Sequence, residues 1–144
     1  MDDKYLVSVK GTQTVDGEKE TLELTTSAAY MEKNGKKFIK YREYNPEDTE
    51  QYIVNIIKIE NNKKITLTKN DQDKCTQLIL ECGQRHQCFY STPIGSMSIG
   101  IYTESMSHNL DENGGRIEIN YTIDFNADFQ SENHMEIVLT KKEL

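Results

Sequence analysis

Residues 115–125, Gly-Arg-Ile-Glu-Ile-Asn-Tyr-Thr-Ile-Asp-Phe, form the stretch that decides the fold class of this chain. Apolar or aromatic side chains occupy every second position from Ile117 to Phe125, and polar side chains fill the positions between them. A strand that lies between a core and water requires this period of two. The stretch therefore predicts a half-buried β-strand.

The same alternation recurs in other segments, at residues 5–9, 22–30, 97–103 and 135–139. Turn dipeptides such as Asp16-Gly17 and Asn34-Gly35 separate the segments and supply the positive φ angles that tight hairpins need. Strands never alternate with long helical patterns, which excludes a parallel α/β sheet. We expect one all-β domain over residues 1–144. Its antiparallel sheet of about eight to ten strands would close into a barrel, because closure removes exposed edges.

The sequence of residues 45–59 contains signals for both a helix and a strand. Asn45-Pro46 is typical of a helix start, whereas the β-branched residues of 53–59 favour a strand. We predict a strand there, preceded by a loop or a single helical turn. The long strand from Ser96 to about Met106 would bend around a barrel, and Gly100 in its middle would relieve the bend.

The charge and cysteine content restrict the cellular setting and the partners. The 144 residues carry a formal net charge of -7, and an acidic surface repels the phosphate backbone of nucleic acids. The odd number of cysteines and the lack of an apolar leader after Met1 indicate a reducing compartment. No apolar run approaches the length of a membrane span. The sequence predicts a soluble cytoplasmic protein that binds neither nucleic acid nor membrane.

Residues 83–97 bring cysteine, histidine, arginine and aromatic side chains close together in sequence, and a strand between two turns is the simplest interpretation. Cys82, His86 and Cys88 match no usual zinc spacing, and a closed zinc site needs a fourth ligand. Cysteine-based catalysis needs an adjacent base in space, and no catalytic signature motif occurs. We predict no metal, no cofactor and no catalytic residues. An enzyme would become credible if Arg85, His86 and a carboxylate converged in a cleft.

The tyrosines indicate a different kind of site. A tyrosine combines an apolar body with a polar tip, which suits the wall of a cavity around a small ligand. The alternative is that these side chains fill the core or cover its rim. The candidates lie on several predicted strands, and they are Tyr41, Tyr90, Tyr102 and Tyr121.

Arg85 and His86 complete the candidate ligand-binding set. Arg85 is a rare cation in the acidic second half of the chain. If it points inward, it needs an anionic ligand or a buried carboxylate as its partner. Examples of such a carboxylate are Glu43, Glu104 and Glu118. If it points outward, it is an ordinary surface arginine.

Several motifs together resemble the YwiB-like family of bacterial proteins, also described as DUF1934. These motifs are Tyr41-x-Glu43, Gly83-x-Arg85-His86, Tyr90-x-Thr92-Pro93-x-Gly95-Ser96, Ile99-Gly100-x-x-Thr103 and Gly115-x-Ile117-x-Ile119-x-Tyr121. The resemblance implies a calycin-like barrel, related in shape to lipocalins and fatty-acid-binding proteins, and it implies no catalytic residue. The chain has no tryptophan, so the Gly-x-Trp signature of lipocalins is absent.

Two functions follow as hypotheses. The first is a non-enzymatic barrel that binds a small, partly apolar or amphipathic ligand. The second is an interaction module that pairs with another protein or with itself as a homodimer. Apolar residues on the faces opposite the main stripes motivate the second hypothesis, and they are Leu6, Ile79 and Val138.

Overall fold

The computed structural model describes residues 3–71, 74–92, 95–125 and 128–142. Within these ranges the chain forms ten β-strands and no helix, so the prediction of an all-β fold is confirmed. The strands are β1 (Tyr5–Val15), β2 (Glu18–Lys33), β3 (Lys36–Tyr44), β4 (Tyr52–Asn61), β5 (Lys64–Asp71), β6 (Lys74–Glu81), β7 (Arg85–Thr92), β8 (Gly95–His108), β9 (Gly114–Phe125) and β10 (Phe129–Lys141). None of the described residues forms a helix of the length and apolarity that crossing a membrane requires.

All strands belong to one antiparallel sheet with the order β6-β5-β4-β3-β2-β1-β10-β9-β8-β7. The two edge strands, β6 and β7, are consecutive in the chain, and their described residues form no ladder with each other. We call the line along which the β6 end of the sheet meets β7 and the neighbouring part of β8 the seam. The Gly83 N–H donates to the Thr103 carbonyl across it at 2.8 Å, and the Ile79 N–H donates to Cys88 Sγ at 3.5 Å. The sheet is therefore a nearly closed barrel.

The segment before β4 is a loop and not a helix start. Asn45 Oδ1 accepts a hydrogen bond from the Glu47 N–H at 2.9 Å, which is a local turn of the kind that asparagine favours. The following β-branched residues form β4, so the strand prediction for residues 53–59 is confirmed. The predicted turn at Pro93 and Ile94 lies outside the described residues.

One end of the barrel is plugged by the loop between β8 and β9. Leu110 in this loop is only 2% exposed. The Tyr5 hydroxyl donates to the Glu112 carbonyl at 2.6 Å, and Lys37 Nζ donates to the Leu110 carbonyl. Gly115 lies so close to this loop that a Cβ atom would stand 2.2 Å from the Asn109 carbonyl oxygen. The loop therefore caps the core at this end.

The wall of the barrel opens between β2 and β3. Their ladder runs from Lys33↔Lys36 to Ala28↔Tyr41. Beyond Ala28, the described residues 18–27 pair with β1 alone. The two strands therefore separate at the Ala28–Tyr41 pair, on the side of the barrel away from the plug.

Candidate ligand-binding cavity

Directly paired residues form two rows across the inner face of β3, β4, β5 and β6. Because successive residues of a strand face opposite sides, a step of two residues keeps both rows on the inside. We call the row nearer the plug the apolar row, and its members are Ile39, Ile57, Leu67 and Leu78. The neighbouring row is the polar row, and its members are Tyr41, Asn55, Lys69 and Thr76.

A cavity of about 510 Å³ lies against both rows. The inner faces of β1, β2 and β10 complete its wall with Val9, Leu24, Met135 and Ile137, among others. Leu22 also lines the cavity and is 80% exposed, so the cavity opens where β2 leaves β3. The volume falls in the range of roughly 300–1,000 Å³ that small-molecule sites occupy.

A small polar network stands at the cavity's outer edge. Asn55 Nδ2 donates to Glu43 Oε1 at 3.1 Å, and Lys69 Nζ lies 3.6 Å from the same oxygen. The side chains of Lys69 and Glu43 are 44% and 38% exposed, whereas Asn55 is buried. Burial, with a smaller contribution from the charge of Glu43, raises the pKa of Tyr41 to about 12. Tyr41 is therefore a neutral phenol at physiological pH.

The structure separates the tyrosines that the sequence singled out. Tyr41 lies in the polar row of the cavity. Tyr121 is inward-facing but lines another, more polar pocket of about 380 Å³, and burial raises its pKa to about 12. Tyr102 lies on β8, pairs with Arg85 of β7 and is 40% exposed. The side chain of Tyr90 lies outside the described residues.

Arg85 points outward and binds a carboxylate of β9. Its Nε donates to Asp124 Oδ2 at 3.0 Å and its Nη2 donates to Asp124 Oδ1 at 2.7 Å. The partner of Arg85 is therefore Asp124 and none of the three glutamates named above. Arg85 is exposed, but its two hydrogen bonds to Asp124 distinguish it from an ordinary surface arginine. Its guanidinium crosses Gly100, where a Cβ atom would stand 2.0 Å from Nη2. Gly100 thus makes room for the Arg85 guanidinium, and the register shift of β8 lies further along, between Thr103 and Ser105. That Gly100 also relieves a bend of the strand stays a prediction.

His86 lies at the seam, on the face opposite to Arg85. Its Nε2 is 2.7 Å from Glu81 Oε1, an interaction that spans β7 and β6. Adjacent residues of a strand face opposite sides, so the two side chains diverge. Arg85, His86 and a carboxylate therefore do not converge in one cleft.

Two of the cysteines and one acidic cluster of the described residues make local contacts, whereas Cys75 is exposed. Cys88 is buried against Ile79, and Cys82 Sγ is 3.7 Å from the Glu104 carbonyl. In the described ranges, one group has the composition and spacing of metal ligands, namely Glu118, His134 and Glu136. Arg116 Nη2 pairs with both of these glutamates, at 3.0 Å from Glu136, so the group is an ion-pair network of the outer face.

The apolar residues behind the interaction hypothesis do not form one surface. Leu6 is 39% exposed on β1, and the half-buried Val138 is nearby on β10. Ile79 packs against the core at the seam, on β6, which lies five positions from β1 in the strand order. Self-association through these residues stays a prediction.

Three residues of the polar network, Glu43, Asn55 and Lys69, were not among the sequence-based candidates. The sequence does carry a signal for Lys69, because Ile65, Leu67 and Lys69 share one face of β5 and place an ammonium group among inward apolar residues. An inward lysine at the end of an apolar stripe indicates a cavity or a mouth, since a charge in a packed core is costly.

The fold and the cavity together define a class: an antiparallel β-barrel that is plugged at one end and holds a small-molecule-sized cavity at the other. The family model of DUF1934, a domain of unknown function, matches residues 7–137, and the chain belongs to this family. The motif-based resemblance is thus confirmed.

A solved structure supports the same fold. The crystal structure of the ywiB protein from Bacillus subtilis is similar with a TM-score of 0.83, and the match covers 96% of this chain and 92% of that one. The two sequences are 21% identical, so this likeness shows the fold alone. No match was found among curated proteins.

Proposed function

We propose that this protein binds one small, largely apolar molecule in the barrel cavity. The observation that carries the proposal is a cavity of about 510 Å³ whose wall is mainly aliphatic and whose outer edge holds a few polar groups. Ligand sites commonly combine an apolar wall with a small number of placed polar groups that orient the ligand.

The two ends of the barrel differ in how well their inward side chains are covered. Near the plug, Ile39 and Ile65 are fully buried. At the cavity, the inward residues Leu24, Leu67 and Met135 are only partly buried. Covering such surface yields about 25 cal/mol for each Å² removed from water, so an apolar ligand in the cavity would stabilise the complex.

The volume of the cavity favours one ligand at a time. At the inner end of the cavity the apolar-row residue Ile57 is only 3% exposed, whereas Leu22 at the mouth is 80% exposed. A ligand would therefore insert its most apolar part first and leave its polar end near Glu43 and Lys69.

Fluorescence titration with N-phenyl-1-naphthylamine, a neutral apolar probe, tests this proposal. We expect the wild-type protein to bind one probe molecule, and Leu24→Trp, which fills the cavity, to weaken binding at least about tenfold, or about 1.4 kcal/mol. Thr25→Trp is the matched control, because Thr25 is exposed on the next residue of the same strand. Its affinity should stay within about twofold of wild type.

Two outcomes would overturn the proposal: no saturable binding by the wild type, or equal binding by the wild type and Leu24→Trp. Circular dichroism establishes that each variant is folded. If Leu24→Trp does not fold, Leu67→Phe obstructs the opposite wall of the same cavity and replaces it in the comparison.

A further inference from the structure

We infer that the cavity selects an amphipathic ligand whose polar end is a single carboxylate, held by the polar row with the apolar part along the apolar row. This inference rests on the proposed function and adds the chemical class of the ligand.

The apolar row and the polar row follow one another along the barrel axis, and their order sets the orientation of the ligand. On β3, the inward positions from the plug to the mouth are Lys37, Ile39, Tyr41 and Glu43. Ile39 is fully buried and Tyr41 is 7% exposed, whereas the Glu43 side chain is 38% exposed. An amphipathic molecule that follows this gradient places its tail against Ile57 and Leu67, which line the cavity, and its polar end beside Tyr41.

The polar side chains that surround the position beside Tyr41 carry mainly hydrogen-bond donors. Lys69 carries an ammonium with three N–H bonds, and Asn55 has two amide N–H bonds, of which one is directed at Glu43. Tyr41 adds a phenol that remains protonated at physiological pH. A carboxylate, which only accepts hydrogen bonds, is the complement of such a set.

Glu43 carries the carboxylate that the carboxylate of such a ligand would displace. Its Oε1 accepts from Asn55 and lies 3.6 Å from Lys69, so a carboxylate oxygen already occupies the place that we assign to the ligand. Both charged side chains are partly exposed, and ion pairs of this kind contribute about 0–1 kcal/mol. Exchange of Glu43 for a ligand carboxylate is therefore inexpensive, because Glu43 can turn toward water.

The charge balance favours a singly charged ligand. Lys69 is the one cation among the described residues that line the cavity, where the carboxylates of Glu43 and of the exposed Glu23 also lie, and the chain as a whole carries a net charge of -7. A phosphate monoester would bring roughly -1.5 to -2 at neutral pH and leave a negative charge without a partner. A carboxylate matches the charge of Lys69.

Displacement of bound N-phenyl-1-naphthylamine by four compounds that each contain one linear chain of twelve carbon atoms tests the inference. The compounds are dodecanoate, dodecanol, dodecylamine and dodecyl phosphate, each below its micelle-forming concentration. We expect wild-type protein to bind dodecanoate about tenfold more tightly than dodecanol, equivalent to about 1.4 kcal/mol, and more tightly than the amine and the phosphate. Lys69→Met should remove the preference for dodecanoate over dodecanol, and Glu43→Gln should increase it.

Lys40→Met is the matched control, since Lys40 is exposed on β3 and does not line the cavity. It should retain the wild-type preference. Equal binding of dodecanoate and dodecanol, tighter binding of dodecyl phosphate, or a preference that survives Lys69→Met would overturn the inference. In those cases the proposed function stands if probe binding still depends on Leu24, and it fails with the inference if the probe does not bind.

Discussion

Gly100, on the outer face of β8, lets a single side chain connect three strands. Arg85 on β7 crosses Gly100 on β8 and reaches Asp124 on β9 through two hydrogen bonds. The Asp124 side chain is only 12% exposed, so loss of the guanidinium would leave a largely buried carboxylate with fewer donors. The contact ties edge strand β7 to the body of the sheet.

We predict that Gly100→Ala destabilises the protein, because the new methyl group would stand 2.0 Å from Arg85 Nη2 and displace the guanidinium. The midpoint of urea unfolding should fall by about 0.5–1 M. Gly11→Ala is the control, since nothing lies within 4 Å of its Cβ position, and it should leave the midpoint unchanged or raise it slightly.

A double-mutant cycle identifies the cause of the Gly100→Ala effect. In Arg85→Ala the contact is already lost, so adding Gly100→Ala should lower the midpoint little further. Additive effects of the two substitutions would show that the methyl group acts through some contact other than Arg85.

At the scale of elements, the strands could be predicted from the sequence because short stretches of residues contain the patterns that specify them. Alternation identified β9, and β-branched residues decided in favour of β4 over a helix. The cavity could not be predicted in the same way, because it depends on register. Tyr41 and Asn55 become neighbours only through strand pairing, and the ladder of β2 and β3 ends at Ala28 for reasons that no short segment contains. For this reason Tyr41 was the sole member of the polar row among the sequence-based candidates.

The loop between β8 and β9 is the element that closes the barrel end opposite the cavity. We predict that Leu110→Ala lowers the free energy of unfolding by about 2–5 kcal/mol, since Leu110 is 2% exposed and its loss leaves a void under the loop. Leu22→Ala makes the same chemical change at a side chain that is 80% exposed, and it should cost less than about 0.5 kcal/mol. Denaturant unfolding measures both values, and equal effects would show that the loop is not part of the core.

At the scale of the whole molecule, the described part of the barrel combines a closed end, a seam and an opening in the wall between β2 and β3. The plug covers the end near Tyr5 and Lys37, and side-chain and backbone contacts bridge the seam near Cys88 and Gly83. The opening between β2 and β3 then gives the cavity its access to solvent. This arrangement supports our proposal of a container for a single small molecule, in a family whose function is unknown.

Native mass spectrometry of the protein purified from the organism that encodes it tests the central proposal most directly. Wild type and Leu24→Trp would be expressed there at the same level and purified in parallel without detergent. We predict that the wild type retains one small molecule in a one-to-one complex and that Leu24→Trp, with its cavity filled, is found without it. Finding both proteins only at their ligand-free masses, or both with the same bound molecule, would contradict the proposal.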